Sequence, residues 1–196
     1  MKNPDVARTA AFIRLLHSLQ SVERVAAISD LSRRENDVEH SYFLVMVCWY
    51  LCDTLQLDYS KEKVFRYALV HDLVEIYSGD TFFLDAKAQE TKKEREESAR
   101  VRIANEFPEF KDLHAAIKAY EHRNDPEAGF VYAIDKVLPF LINYMQGGYM
   151  WKEMGVAHED DYANKREKIG EQKEARELLE QIIALIGDDW GTYFVA

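Results

Sequence analysis

The sequence predicts an all-α fold, a bundle of about eight or nine helices. Three observations carry this expectation. Apolar residues recur at spacings of three and four along most of the chain, the repeat of a helix with one buried face. The 196 residues include only 4 prolines and 8 glycines, so few positions interrupt a helix. The period-two alternation of a half-buried strand is scarce.

The elements follow in order. A first helix is expected over about Pro4 to Leu19, with Ala10, Ile13, Leu15, Leu16 and Leu19 apolar. A short segment begins near Val22, and Ser29 to Asp37, rich in Asp, Ser, Arg and Asn, reads as a loop. A long apolar helix covers about Val38 to Leu55, and its stripe Tyr42, Phe43, Val45, Met46, Trp49 and Tyr50 reads as core. Asp58-Tyr59-Ser60 makes a turn. Ser60 is the N-cap candidate for a helix over about Lys61 to Tyr77, and Lys63 three residues on means no capping box. Ser78-Gly79 ends that helix, because glycine tolerates the positive φ common just past a helix C-terminus.

Ala86 to Phe107 reads as a solvated helix with one apolar edge, the run Lys92 to Glu97 forming a charged outer face. Pro108 punctuates the chain, and a further helix reaches about His122. Asn124-Asp125-Pro126 turns into a helix over about Glu127 to Gln146, which Gly147-Gly148 closes. Ala163 to Ile186 reads as one last amphipathic packing helix, with Ile169, Leu178, Leu179, Ile182, Ile183 and Ile186 along one side. No repeat, low-complexity tract or linker divides the sequence, so residues 1–196 are expected to form a single domain.

Composition narrows the function classes. Apolar residues make up 47% and aromatics 12%, which suits a globular chain with a proper core. A formal net charge of -10 argues against a nucleic-acid polymer as partner, since such binding needs basic stripes. A small phosphate ester needs only a local cation or two. No run approaches 18 apolar residues and no basic-apolar leader precedes a small-residue cleavage site, so no membrane partner and a cytoplasmic location are expected. Cys48 and Cys52, four apart in one helix, read as small buried hydrophobes.

The residues that point to chemistry are His71 and Asp72, adjacent inside the apolar run Ala68 to Ile76. An imidazole beside a carboxylate is costly to bury without a partner. His40 at the start of an apolar helix and Asp135 within Phe130 to Leu138 pose the same difficulty. Two imidazoles and two carboxylates suit one divalent ion of the borderline or hard kind, among them Mn, Co, Fe, Zn, Ni and Mg. Glu75 stands four after His71 and three after Asp72, and Asp80 lies just past the helix end, so titratable groups gather at one point. His17, His114, His122 and His158 read as surface or cap residues.

The ordered set His40, His71-Asp72 and Asp135 resembles the HD superfamily of metal-dependent phosphohydrolases. Val38-Glu39-His40-Ser41 and the stretch Ala68 to Asp80 are similar to the branch that holds bacterial 5'-deoxynucleotidases and related HD-domain proteins. The likeness extends through Lys92 to Ala99, Tyr120-Glu121, Glu127 to Val131, Asn143, Gly148 and Trp151, and spans roughly Arg24 to Val156.

This resemblance implies an all-α HD domain whose metal box lies within residues 24–156. It implies that His40, His71, Asp72 and Asp135 bind one divalent metal, and that Glu75 and Asp80 form the acid-base pair. It further implies an upstream arginine that grips phosphate: Arg24, 16 residues before His40, matches the distance, with Arg33 and Arg34 as nearer competitors, and Glu121 is a contact to the substrate or to the residues around it. The implied activity is release of phosphate from a nucleoside 5'-monophosphate or a similar small ester. Val25 follows Arg24 where that branch carries a bulky Trp that helps sense the sugar, so a 2'-deoxy preference is not assigned. Two other readings stand beside it. A nucleotide diphosphate or alarmone hydrolase would want more cations than Arg33-Arg34 supply, and a non-catalytic nucleotide sensor or scaffold would not need Glu75 and Asp80. Family members are often dimers, which leaves room for a homodimer; the aromatic residues Tyr144, Tyr149 and Trp151, with Met150, fit core, pocket wall or dimer surface alike.

Overall fold

The computed structural model describes residues 5–194, so the expected helix start at Pro4 lies outside the described residues. Helix α1 (Val6–Leu19) leads into a hairpin of β1 (Glu23–Ala27) and β2 (Arg34–Asn36). Then come α2 (Asp37–Thr54), α3 (Lys61–Val70), α4 (Glu75–Ser78), α5 (Ala86–Glu106), α6 (Lys111–His122) and α7 (Pro126–Met145). The chain closes with α8 (Tyr149–Glu153), α9 (His158–Ile169), α10 (Lys173–Ile186) and α11 (Trp190–Tyr193). The fold is all-α apart from the hairpin. Among the described residues no helix is long and apolar enough to cross a membrane.

Local chemistry sets the helix starts. Asn36 caps α2 by accepting from the backbone N–H groups of Val38 and Glu39, both at 3.1 Å, while Glu39 Oε2 accepts from Asn36 N at 3.2 Å. This reciprocal capping box fixes the entry of α2 at Asn36, four residues before His40. Ser60 caps α3, and Asp125 caps α7 with Pro126 in the first turn, where its missing N–H costs nothing.

Four expectations are corrected. The stretch read as loop carries a strand: β1 and β2 pair antiparallel, Glu23 with Asn36 and Ala27 with Arg34, across an irregular register. The charged residues Arg24 and Glu35 point inward here, which inverts the usual alternation and hides the strands from a hydrophobic pattern. The helix expected from Lys61 to Tyr77 breaks after Val70. Leu73 N bonds Val70 O and Glu75 N bonds Asp72 O, three-residue bonds that wind the chain tighter than an α-helix before α4 resumes. The single last helix is two, α9 and α10, because Gly170 at φ +54° ends the first. Most of the stripe on α2 is not core: Tyr42, Trp49 and Tyr50 are 63%, 46% and 66% exposed, Phe43 and Met46 are exposed too, and of the six Val45 alone packs against the core. The buried face is His40, Leu44, Cys48 and Leu51. Because α2 is apolar all round, periodicity could not choose between its two faces.

Two hydrophobic clusters form the interior. One joins α2, α3, α7, α9 and α10, with Leu44, Val64, Ile134 and Leu179 at its centre. The other joins α1, α5 and α6 to Val70, Leu73 and Val74. The tight turn after α3 lies where the two meet.

Candidate metal centre and its cavity

His40 enters from the first turns of α2, His71 closes α3, Asp72 sits in the tight turn and Asp135 projects from the middle of α7. The structure brings these four together: a ligand atom from each lies within 4.8 Å of the others, and all four residues are buried. His40 Nε2 is 2.9 Å from Asp135 Oδ1, and His71 Nε2 is 2.8 Å from Asp72 Oδ2 and 3.6 Å from Asp135 Oδ1. Pro139, one turn after Asp135, cannot donate to that residue's carbonyl, and it loosens α7 beside the cluster.

The orientation of the rings fits a cation. His71 Nδ1 donates to the carbonyl of Ala68 at 2.9 Å, which fixes the tautomer and leaves the Nε2 lone pair facing the carboxylates. Nε2 itself makes no hydrogen bond although it is buried. His40 turns Nδ1 toward Glu35 Oε2, 3.6 Å away, and again presents Nε2 to Asp135. Two nitrogen and two oxygen donors converge; the His71 ring is held from behind by the Ala68 carbonyl, while His40 Nδ1 faces Glu35 without a hydrogen bond. A buried, unpaired nitrogen in such a place is what a metal ion satisfies.

Electrostatics follow from the crowding of charge. Burial alone would raise Asp72, yet His71 and Arg24 outweigh it and hold its carboxyl below the usual carboxylate range. Burial likewise opposes ionisation of Asp135, and Lys136, His40 and His71 overcome it and keep that carboxyl well below the usual range. For Glu75 nothing overcomes burial, and Asp72, Asp80 and Asp37 add to it, so its carboxyl is pushed well above the ordinary value. Its Oε2 is buried without a hydrogen bond.

Arg24 reaches the cluster from β1. Its Nη1 donates to Asp72 Oδ2 at 2.6 Å and Asp37 Oδ1 at 3.2 Å, with Glu35 3.8 Å from Nε. Asp80 lines the cavity beside Arg24, after Gly79, whose φ of +72° and ψ of 155° suit glycine. Glu121 is not brought to this place. It lies on α6 with Arg100 of α5 as its nearest cation at 3.8 Å, and it is not part of the cavity wall. Sequence reasoning missed Glu35 and Asp37. Both belong to a segment read as loop, where nothing marked a charged residue as inward.

A cavity of about 130 Å³ opens beside the cluster. Arg24, Asp80 and Asp135 border it, as do Lys136, Lys165 and Lys168, while Phe82, Phe83, Met150 and Trp151 give it apolar surface. Met150 and Trp151 are thus pocket wall as well as core. The loop carrying Asp80 is pinned from α5: Arg95 donates to the carbonyl of Ser78, to Thr81 Oγ1 at 2.9 Å and to the carbonyl of Ala88 at 3.1 Å. The remaining histidines have local roles; His114 bonds the carbonyl of Phe107, His122 that of Lys118, and His158 stacks on Trp190.

Comparison with known proteins agrees with this geometry. The family model described as HD domain matches residues 16–179. A human protein named 5'-deoxynucleotidase HDDC2 is 31% identical over 128 residues, covering 64% of this chain and 61% of the human protein; the chain therefore spans about six-tenths of the curated relatives it matches. A crystal structure of a predicted metal-dependent phosphohydrolase from Magnetospirillum magnetotacticum superposes with a TM-score of 0.80 at 29% identity, covering 96% of this chain and 95% of that one. A conserved hypothetical protein from Pyrococcus furiosus shares the fold at a TM-score of 0.60 and 23% identity, over 90% of this chain and 98% of its own.

Proposed function

The chain belongs to the HD-domain family, and we propose that it is a metal-dependent phosphomonoesterase releasing phosphate from a nucleoside 5'-monophosphate or a similar small phosphate ester. The whole of residues 1–196 is proposed as one such domain. The observation that carries the reading is the convergence of His40, His71, Asp72 and Asp135, with His71 Nδ1 bonded to the Ala68 carbonyl, next to a cavity bordered by Arg24 and Asp80. The names of the human and Magnetospirillum relatives support the same chemistry.

A divalent ion held by these four residues would polarise a phosphate oxygen and lower the pKa of water, to about 7 in favourable sites. The protein's own groups do the rest. Glu75 Oε2, without a hydrogen bond, orients the attacking water and accepts its proton. Arg24 Nη2, which makes no hydrogen bond among the described residues, neutralises charge on phosphate oxygens while Nη1 stays with Asp72 and Asp37. Asp80 handles the proton of the leaving oxygen. The cytoplasmic setting is part of this reading, and the buried free thiols of Cys48 and Cys52 are compatible with a reducing compartment. A homodimer is proposed as well, supported by the exposed aromatic face of α2.

The test is phosphate release from a panel of nucleotides with Mn²⁺, Co²⁺ and Mg²⁺, run with elemental analysis. Wild-type protein is expected to turn over at least one nucleoside monophosphate. His71→Ala and Asp72→Ala are expected to lose both stoichiometric metal and turnover. Unchanged turnover in those variants sinks the proposal, and bound metal and nucleotide with no turnover favours a sensor instead.

A further inference from the structure

Four cations border the cavity, Arg24, Lys136, Lys165 and Lys168, against three carboxylates, Asp80, Asp135 and Asp161, and one of the cations, Lys168, has no carboxylate partner among the described residues. Lys165 and Lys168 stand three apart on α9, so they share a helix face, and both line the cavity together with Lys136 of α7. Lys165 is buried, 8% exposed, and makes no hydrogen bond among the described residues. The nearest carboxylate oxygen, Asp161 Oδ1, is 3.6 Å away, and the other oxygen of Asp161 is taken by Trp151 Nε1 at 2.7 Å. Lys168 makes neither an ion pair nor a hydrogen bond among the described residues. Burial and the neighbouring ammonium groups of Lys136, Lys165 and Lys92 lower its pKa to about 8.

Grouping lysines in a partly desolvated wall is unfavourable unless an anion meets them. This chain has 35 acidic and 25 basic residues, so carboxylates were plentiful, yet none lies within ion-pair distance of Lys168. Nor do Lys165 and Lys168 serve the metal cluster: neither pairs with His40, His71, Asp72 or Asp135 or with Glu75, and only Lys136 contacts a member, Asp135. Lys165 has only Asp161, at 3.6 Å, and the charge of Lys168 is left for something that enters the cavity.

We propose that Lys165 and Lys168, with Lys136 beside them, hold a second anionic group of the substrate, so that the substrate is a small phosphate ester bearing another phosphoryl group away from the scissile one. This rests on the phosphomonoesterase reading above and names the substrate class for it. The scissile phosphate lies at the Arg24 and Asp135 end, and the second group lies against α9, an element that gives the cluster no ligand.

The test compares adenosine 3',5'-bisphosphate with adenosine 5'-monophosphate as substrates of the metal-loaded protein, wild type and Lys168→Gln, Lys165→Gln and the double variant. Wild type is expected to prefer the bisphosphate at least tenfold in kcat/KM, the gain lying in KM. The preference is expected to collapse in the double variant and to survive in Lys168→Arg, which keeps the charge. A second measurement does not need turnover: inorganic phosphate is titrated while the unfolding midpoint is followed. Phosphate is expected to raise the midpoint of wild type more than that of Lys168→Gln, which replaces a partly exposed, unpaired side chain and so tests the idea even if Lys165→Gln fails to fold. Equal phosphate shifts, or a preference unchanged in the variants, overturn the inference. If no phosphate ester is turned over, the phosphomonoesterase reading fails by itself, and the phosphate titration still decides whether the lysines bind an anion.

Discussion

His71 divides its two ring nitrogens between structure and chemistry. Nδ1 holds the end of α3 through Ala68, and Nε2 is turned, unpaired, on two carboxylates. Residues such as this are legible in a sequence because a polar group in an apolar run needs a reason to be buried. Lys165 and Lys168 had no such mark: the run Lys165-Arg166-Glu167-Lys168 reads as solvated helix, and only packing against the cavity makes two of its members different. Lys168 carries a prediction of its own. Its pKa in the fold, about 8, lies below the 10.5 of a free lysine. Between those values the unfolded chain keeps a proton that the folded chain has shed, so native stability rises with pH across that window. Lys136, Lys165 and Lys92 face the ammonium, and Asp135 acts weakly the other way. In phosphate-free buffer at pH 7, Lys168→Met is therefore expected to be the more stable protein, by under about 1 kcal/mol once solvent screening is allowed for. The gap in unfolding midpoint should narrow as pH rises from 8 toward 10. A gap that is absent at pH 7, or that widens with pH, contradicts this account of Lys168.

Elements whose buried face is apolar on one side only were the easiest to read. α5 starts at Ala86 and stops within a residue of Phe107, as its single apolar edge suggests, and α3 starts where the cap at Ser60 puts it, although it stops at Val70. The hairpin was hidden because Arg24 and Glu35 face inward, and the break after Val70 because a change from four-residue to three-residue hydrogen bonding leaves no trace in composition. That break matters for the site: it turns Asp72 and Glu75 inward together and hands the chain to Gly79 and Asp80. The loop that follows is held from α5 by Arg95, a residue whose run looked like a plain charged face. Arg95 is a positioning residue for Asp80. Replacing it with Gln removes hydrogen bonds worth about 1 kcal/mol each. Measured well below the unfolding midpoint, Arg95→Gln is expected to lower kcat roughly tenfold with metal stoichiometry unchanged, and Arg95→Lys to restore part of it. An unaltered kcat would show that Asp80 needs no such support.

At the scale of the whole molecule, two hydrophobic clusters meet at the turn after α3, and the meeting place gathers side chains from α2, the turn and α7. His40 and Asp135 are 95 residues apart in sequence and 2.9 Å apart in space. The helical class of the fold was legible because most of the chain repeats one period. The shape of the cavity was not, since it depends on which face of each helix the neighbours cover, and α2 is the plainest case. We propose that these distant residues grip one cation. Anomalous diffraction at the zinc edge, from crystals grown with Zn²⁺, tests it directly. A single strong peak is expected about 2.0–2.2 Å from His40 Nε2, His71 Nε2 and oxygens of Asp72 and Asp135. A peak elsewhere, such as among Asp37, Asp72 and Glu75 without either histidine, or no peak in zinc-saturated crystals, would contradict it.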